Sequence, residues 1–266
     1  MSFSLDAATE LTPLAEGLYH RPPADDYYNV MSMFGGWVLA VAVEAVSHHP
    51  KQRGELISIS ANFAEGVQLK DVYVQASLLR ARARTDFWRV EVRSGQGADA
   101  AVLCSVEMVW GSRKESEMDY AVSFPEVSSP EALEILDTKG FPKWFDRYAM
   151  RPLQGKPMMP NETPKSLSWV CERDQRPLDA KGLAALSDVF PPRSLLLGPE
   201  PKGGSTVTYS LYVFATTEDL AKVSGRPLLL QGDGSIVRSG VFDQRGLLWS
   251  PEGQLLAVTN QMGFYR

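Results

Sequence analysis

The chain has 266 residues, a net charge of −5 and an apolar share of 44%, enough to bury a sizeable core and to exclude disorder over most of its length. At about 150 residues per domain this length predicts one or two domains, and a pI near 5.4 argues against nucleic acid as the main partner. Cys104 and Cys171, the two cysteines, are too few for a disulfide framework or a zinc ribbon.

The first residues, Met1 to Asp6, carry no basic stretch followed by an apolar one, so no secretory signal is expected. A short extended region ends at Asp25-Asp26-Tyr27-Tyr28. Phe34-Gly35-Gly36-Trp37 then leads into Val38 to Val46, a run apolar nearly all round, which for a helix means burial on every side. The apolar stretch that begins at Phe34 breaks at Glu44, short of the ~20 residues a bilayer span needs. His48-His49-Pro50 ends the helix, with imidazoles suited to its negative pole and a proline that cannot continue it. Strands are predicted over Leu56 to Phe63, Val72 to Arg84, Phe87 to Arg93 and Ala101 to Trp110, the last two joined by the turn at 94–99. Cys104 falls in the last of these as an inert core thiol. A soluble, cytoplasmic protein is the expectation.

Lys114 to Asp137 is charged, with Pro125, Pro130 and paired serines, and is predicted to be a linker holding one short helix from Pro130 to Leu136. The second half then repeats the order of the first. Leu183 to Leu186 is helical and stops before Pro191-Pro192, and strands follow at Thr206 to Phe214, Pro227 to Gln231, Ser235 to Trp249 and Gln254 to Tyr265. Ala61-Asn62-Phe63 overlies Leu211-Tyr212-Val213 at an offset of 150, and Leu103 overlies Leu256 at 153. Two anchors agreeing this closely indicate a duplicated unit. A long apolar helix beside an antiparallel meander is most simply buried by wrapping the sheet around it. The expected fold is therefore α+β, a double hot-dog, with units at 1–113 and 141–266 and a linker at 114–140.

Several chemistries are missing from the sequence. It has no Gly-x-Ser-x-Gly elbow, Walker loop, His-Glu-x-x-His or Cys-x-x-Cys. Gly95 to Ala100 loosely fits a dinucleotide fingerprint but lies between two strands, where a hairpin turn explains it. His48 and His49 are adjacent and cannot chelate one metal from a helix face. Arg80, Arg82 and Arg84 recur with period two, either as a solvated edge or as a rim for an anionic ligand.

Asp188, Thr206 and Gln261 interrupt apolar segments of the second half. By the offsets, Thr206 falls opposite Leu56 and Gln261 opposite Met108. A requirement of the fold would appear in both halves, so a polar set present in one points to function. Four stretches carry a further resemblance: Phe34-Gly35-Gly36, Leu186-Ser187-Asp188, Thr206 to Tyr212, and Pro251 to Ala257 running into Gln261 to Arg266. In this order they resemble the acyl-CoA thioesterase II type of double hot-dog thioesterase. The resemblance implies a thioester hydrolase that acts on acyl-CoA without metal or redox cofactor, as a homodimer or higher homo-oligomer, with no nucleic acid or membrane partner. It maps the residues holding the hydrolytic water onto Asp188, Thr206 and Gln261. Thr208-Tyr209 stands where many members carry an Asp-His pair.

The chemistry is coherent on its own terms. A carboxylate accepts the proton of an attacking water, and a hydroxyl and an amide aim that water. Backbone N–H groups at a helix start reached through Gly35-Gly36 would hold the developing oxyanion or bind the substrate. The alternatives are a non-catalytic module that binds acyl-CoA or an acyl chain, and a hydratase or dehydratase. The latter usually needs a histidine pair, and the second half has no histidine.

Overall fold

A computed structural model describes residues 2–97, 99–114, 116–198, 200 and 202–265. Met1, Ala98 of the 94–99 turn, Glu115 of the linker and Arg266 at the end of the closing motif lie outside the described residues, as do Pro199 and Pro201. The first half runs α1 (Ser4–Thr9), β1 (Thr12–Ala15), β2 (Leu18–Arg21), α2 (Gly35–Ser47), β3 (Glu55–Phe63), β4 (Val72–Ala81), β5 (Thr85–Arg93) and β6 (Val102–Gly111). The second runs β7 (Tyr148–Gln154), β8 (Ser166–Glu172), α3 (Ala180–Leu186), β9 (Gly204–Val213), α4 (Thr217–Val223), β10 (Leu228–Asp233), β11 (Val237–Arg238), β12 (Val241–Trp249) and β13 (Leu255–Tyr265).

Among the described residues the strands form one sheet in the order β1-β2-β4-β5-β6-β3-β9-β13-β12-β10-β8-β7, with β11 paired to β12. Every neighbouring pair is antiparallel. Read outward from the central β3–β9 pair, the two halves list the same connectivity twice. At that seam Ser60 faces Ser210, its own equivalent at an offset of 150, as a local twofold axis requires.

The registers repeat in detail. Ile59 faces Met108 across β3–β6, and Tyr209 faces Gln261 across β9–β13, which are the same pair moved on by 150 and 153. Both ladders also slip by one residue near their ends, so that Leu56 faces Trp110 and Thr206 faces Gly263. The three-residue difference between the two offsets thus leaves the pairing of β3 with β6 and of β9 with β13 intact. The protein is a double hot-dog.

α2 and α3 lie inside the sheet. From Gly36 to Val46 every residue of α2 except Glu44 is buried, which satisfies its all-round apolar pattern. The helix ends at His48, whose backbone N–H donates to the Glu44 carbonyl. α3 is capped by Asp179, whose side chain accepts from the Gly182 N–H at 2.8 Å. α4 carries a full capping box between Thr216 and Asp219. The Cys104 thiol is buried, and burial pushes its pKa up to about 12, as suits an inert core residue.

Four expectations need correction. The helix predicted over Pro130 to Leu136 is a single 3-10 turn, Pro130–Ala132. Leu133 turns extended there and packs on the cluster of Trp169, Leu229 and Trp249. The strand predicted to Arg84 stops at Ala81, so Arg82 and Arg84 occupy a turn and the three arginines share no strand face. All three are exposed. The Ser235 to Trp249 run is a hairpin, because Ser239 (φ 53°) and Gly240 (φ 80°) make a two-residue left-handed turn between β11 and β12. Finally β7 and β8, which precede α3 as β1 and β2 precede α2, went unpredicted.

Candidate functional site

α2 and α3 meet with the start of one beside the end of the other. Phe34, in extended backbone, precedes α2, and its N–H donates to the Tyr27 carbonyl at 2.9 Å. Two glycines follow because nothing larger fits. A Cβ on Gly35 would stand 2.5 Å from Asp188 Oδ2, and one on Gly36 would stand 2.4 Å from the Ala185 carbonyl oxygen and 2.5 Å from the Phe34 ring. α3 ends at Leu186, and the turn through Ser187 carries Asp188 onto the first turn of α2. At the opposite ends of the helices the contact is ionic: Lys181 of α3 reaches Glu44 of α2 at 3.1 Å and Asp6 of α1 at 2.8 Å.

The sheet supplies the other two side chains. Gln261 is buried on the inner face of β13, and Thr206 lies one strand over on β9. The Thr206 hydroxyl donates to Gln261 Oε1 at 2.6 Å, which fixes the amide so that its nitrogen faces the other way. The Gln261 side chain and the Gly36 backbone N–H both hydrogen-bond to the Asp188 carboxylate. Thr206, Gln261, Asp188 and Gly36 therefore form one chain of hydrogen bonds.

Desolvation is the dominant influence on Asp188. It raises the carboxyl pKa to about 7, against the opposing pull of the Gly36 and Gln261 hydrogen bonds. A group poised there exchanges a proton readily at neutral pH. Two neighbours that sequence reasoning missed hold its turn in place. The fully buried Tyr209 hydroxyl donates to Ser187 Oγ at 2.5 Å, and Ser187 Oγ donates to the Ala184 carbonyl at 2.7 Å. Burial, with the nearby Asp188 charge second, pushes the Tyr209 hydroxyl well above its usual pKa, so it stays a donor. Tyr209 is thus what stands in place of the Asp-His pattern, and its position between polar neighbours in a buried strand was the available signal.

All five residues singled out in the sequence, Gly35, Gly36, Asp188, Thr206 and Gln261, lie together. The arrangement changes one expectation: the Gly36 N–H already serves Asp188. In the first half the positions equivalent to Thr206 and Gln261 are Leu56 and Met108, both buried and apolar. His49 lies against the Trp88 ring with centroids 4.8 Å apart, and burial lowers its pKa.

The chain was compared with known proteins. Residues 24–110 match the family model of the acyl-CoA thioesterase N-terminal domain, and residues 123–265 match that of the acyl-CoA thioesterase C-terminal domain. No curated protein matches the sequence at a significant level. Among solved structures, a conserved protein of unknown function with hot dog fold from Alicyclobacillus acidocaldarius is 26% identical, with a TM-score of 0.94 over 100% of this chain and 99% of that one. The acyl-CoA thioesterase II TesB2 from Mycobacterium marinum is 15% identical, with a TM-score of 0.78 and 98% of each chain covered. The tesB protein of Mycobacterium avium subs paratuberculosis is 16% identical, with a TM-score of 0.77 and 98% of each chain covered. At these last identities the likeness is one of fold.

Proposed function

Because this chain belongs to the acyl-CoA thioesterase family, we propose that it hydrolyses a fatty acyl-CoA to the free acid and CoA, with Asp188, Thr206 and Gln261 holding the attacking water. The observation that carries this reading is the hydrogen-bonded chain from Thr206 through Gln261 to Asp188, set against apolar Leu56 and Met108 at the equivalent places. A polar set in one copy of a duplicated unit, buried at Gln261 and half-buried at Asp188 and Thr206, costs folding free energy that the fold itself does not require.

In the reaction, Asp188 takes a proton from the water as its oxygen bonds to the thioester carbonyl carbon. The carbonyl oxygen becomes an oxyanion at the positive end of α2. Gly35 and Gly36 line that end, and with the Gly36 N–H turned to Asp188, the Gly35 N–H is the donor assigned to the oxyanion. Collapse of the intermediate breaks the carbon–sulfur bond, and Asp188 returns its proton to the departing CoA thiolate. Water is the only co-reactant. The reading treats 1–113 and 141–266 as the two units flanking a 114–140 linker. It also places the protein in fatty acid metabolism in the cytoplasm, as a homodimer or higher homo-oligomer.

The test is thiol release from a panel of acyl-CoA substrates. Asp188→Asn keeps the shape and removes the proton acceptor, so kcat should fall by ~10²–10⁴-fold with little change in KM. Near-wild-type turnover by that variant would remove Asp188 as the base, and absence of turnover in the wild type would leave an acyl-CoA-binding module.

A further inference from the structure

Gln261 has a directly opposed neighbour on each side across the sheet, Tyr209 on β9 and Gln244 on β12. Opposed residues share a face, with Cβ atoms about 4.5–5.5 Å apart, and all three are buried. Each is also tied to the segment that leaves α3. Tyr209 donates to Ser187, Gln261 bonds Asp188, and Gln244 Oε1 accepts from Arg193 Nε at 3.0 Å. The row is thus stitched to its cover at three points, and the proposed base is the middle one.

The first half has the same row without the polarity. At offsets of 150, 153 and 156, the counterparts of Tyr209, Gln261 and Gln244 are Ile59, Met108 and Trp88, opposed in the same order on β3, β6 and β5. All three belong to the hydrophobic core. His49, which follows α2, lies against Trp88 as Arg193, which follows α3, lies against Gln244. One unit fills the place with an indole and an imidazole whose pKa burial lowers, the other with an amide and a guanidinium. Arg193 is fully buried, and its five N–H donors all reach oxygens. Besides Gln244 Oε1 these are Ser166 Oγ, bonded by both terminal nitrogens at 3.2 and 3.1 Å, and the Pro164 and Pro191 carbonyls. No carboxylate is among them. Burial lowers the guanidinium pKa to about 10, so the charge persists at neutral pH. A buried cation without a contacting carboxylate costs more than an apolar side chain of its size, and the first unit closes here without one.

The geometry points to Arg193 and Gln244 as positioning residues of the thioesterase site, which hold the segment 187–193, and with it the Asp188 carboxylate, against Gln261. The inference rests on the reading of Asp188 as the base. Tyr209 fixes the chain one residue before Asp188. Arg193 fixes it five residues after, to Ser166 of β8 and Gln244 of β12 together. Between two such anchors the carboxylate keeps its aim at the water it deprotonates. A displacement of about 1 Å at a reacting group costs up to ~10²-fold in rate.

The test is thiol release from the acyl-CoA that the wild type turns over fastest. Arg193→Lys keeps the charge, but three donors on one nitrogen cannot span acceptors on β8, β12 and two prolyl carbonyls. Its kcat should fall ~10–100-fold with KM within about threefold of wild type. Gln244→Met keeps a similar volume and removes the acceptor, and should lower kcat ~5-fold or more. In an Asp188→Asn background either change should cost less than about twofold further, because a residue that only aims the base then has nothing to aim. Cooperative urea unfolding identifies the folded variants, and Gln244→Met carries the whole comparison if Arg193→Lys does not fold. A kcat within about twofold of wild type in the folded variants, or an equal loss in the Asp188→Asn background, would overturn the positioning role and leave the thioesterase reading standing. No thiol release from the wild type, or near-wild-type turnover by Asp188→Asn, would overturn that reading and this inference with it.

Discussion

Replacing Asp188 by asparagine should make the protein more stable at neutral and alkaline pH while it removes activity. The carboxyl is lifted from 3.8 to about 7 by desolvation. Between those values the folded state holds a proton that the unfolded state has released, so stability falls as pH rises through this window. The full effect is present below the unfolded value of 3.8, where both states are protonated and folding costs the group nothing. It has been lost by about pH 7.5. The lift corresponds to at most about 4 kcal/mol. The amide offers one acceptor to the Gly36 N–H and the Gln261 side chain where the carboxylate offers two, which gives back about 1–2 kcal/mol. A net gain of about 2 kcal/mol for Asp188→Asn is therefore expected at pH 8, shrinking to zero or below at pH 4. Urea unfolding of both proteins at half-unit pH steps measures it, and the other titrating groups cancel because both proteins share them. Parallel stability curves from pH 4 to 8 would show that Asp188 ionises normally in the fold, and the argument for it as a base poised near 7 would be lost.

Thr206→Val and Gln261→Leu leave the base in place and remove only its aiming bonds, so each should reduce kcat less than Asp188→Asn does; a larger loss in either would move the proton acceptor elsewhere. Gly35→Ala and Gly36→Ala should separate activity from stability. The first pushes on the Asp188 carboxylate and should lower kcat with a modest change in melting temperature. The second meets the Ala185 carbonyl of α3 and should destabilise the fold by about 1–3 kcal/mol, which thermal unfolding reads directly. Light scattering at micromolar concentration should give a multiple of the 29.4 kDa chain mass. The outer sheet face exposes Tyr212, Met262 and Phe264 for such contacts, and a monomer mass would refute the association.

Much of this molecule was written in local pattern. A run apolar all round, opened by Gly35-Gly36 and closed by His48-His49-Pro50, reads as a helix buried on every side, so α2 was legible from Val38 to Val46. The duplicated meander was legible because strands of one sheet must keep register: an insertion that broke the pairing of Tyr209 with Gln261 would turn every inward side chain outward. That constraint is why offsets taken from sequence agree with the ladder. β7 and β8 were not legible, because Pro152 interrupts one and polar residues dilute the other, and what makes them strands is pairing across the sheet. The Arg80–Arg84 pattern misled for the complementary reason, since period two continued past the point where the chain turns.

The site divides in the same way. That Asp188, Thr206 and Gln261 were out of place could be read from the chain, because a polar residue in one copy of a repeat has no packing reason to be there. What they do to one another could not. The 2.6 Å bond from Thr206 to Gln261 joins residues 55 positions apart, and the pKa of Asp188 is set by the desolvation it meets between two helices and a strand. The sequence assigned Gly35 and Gly36 the same task; only the close approach of Asp188 divides them, turning one N–H to the carboxylate. Pattern along a chain reports which face a residue takes, whereas charge state and hydrogen-bond partners depend on distances that exist only after the distant segments have packed.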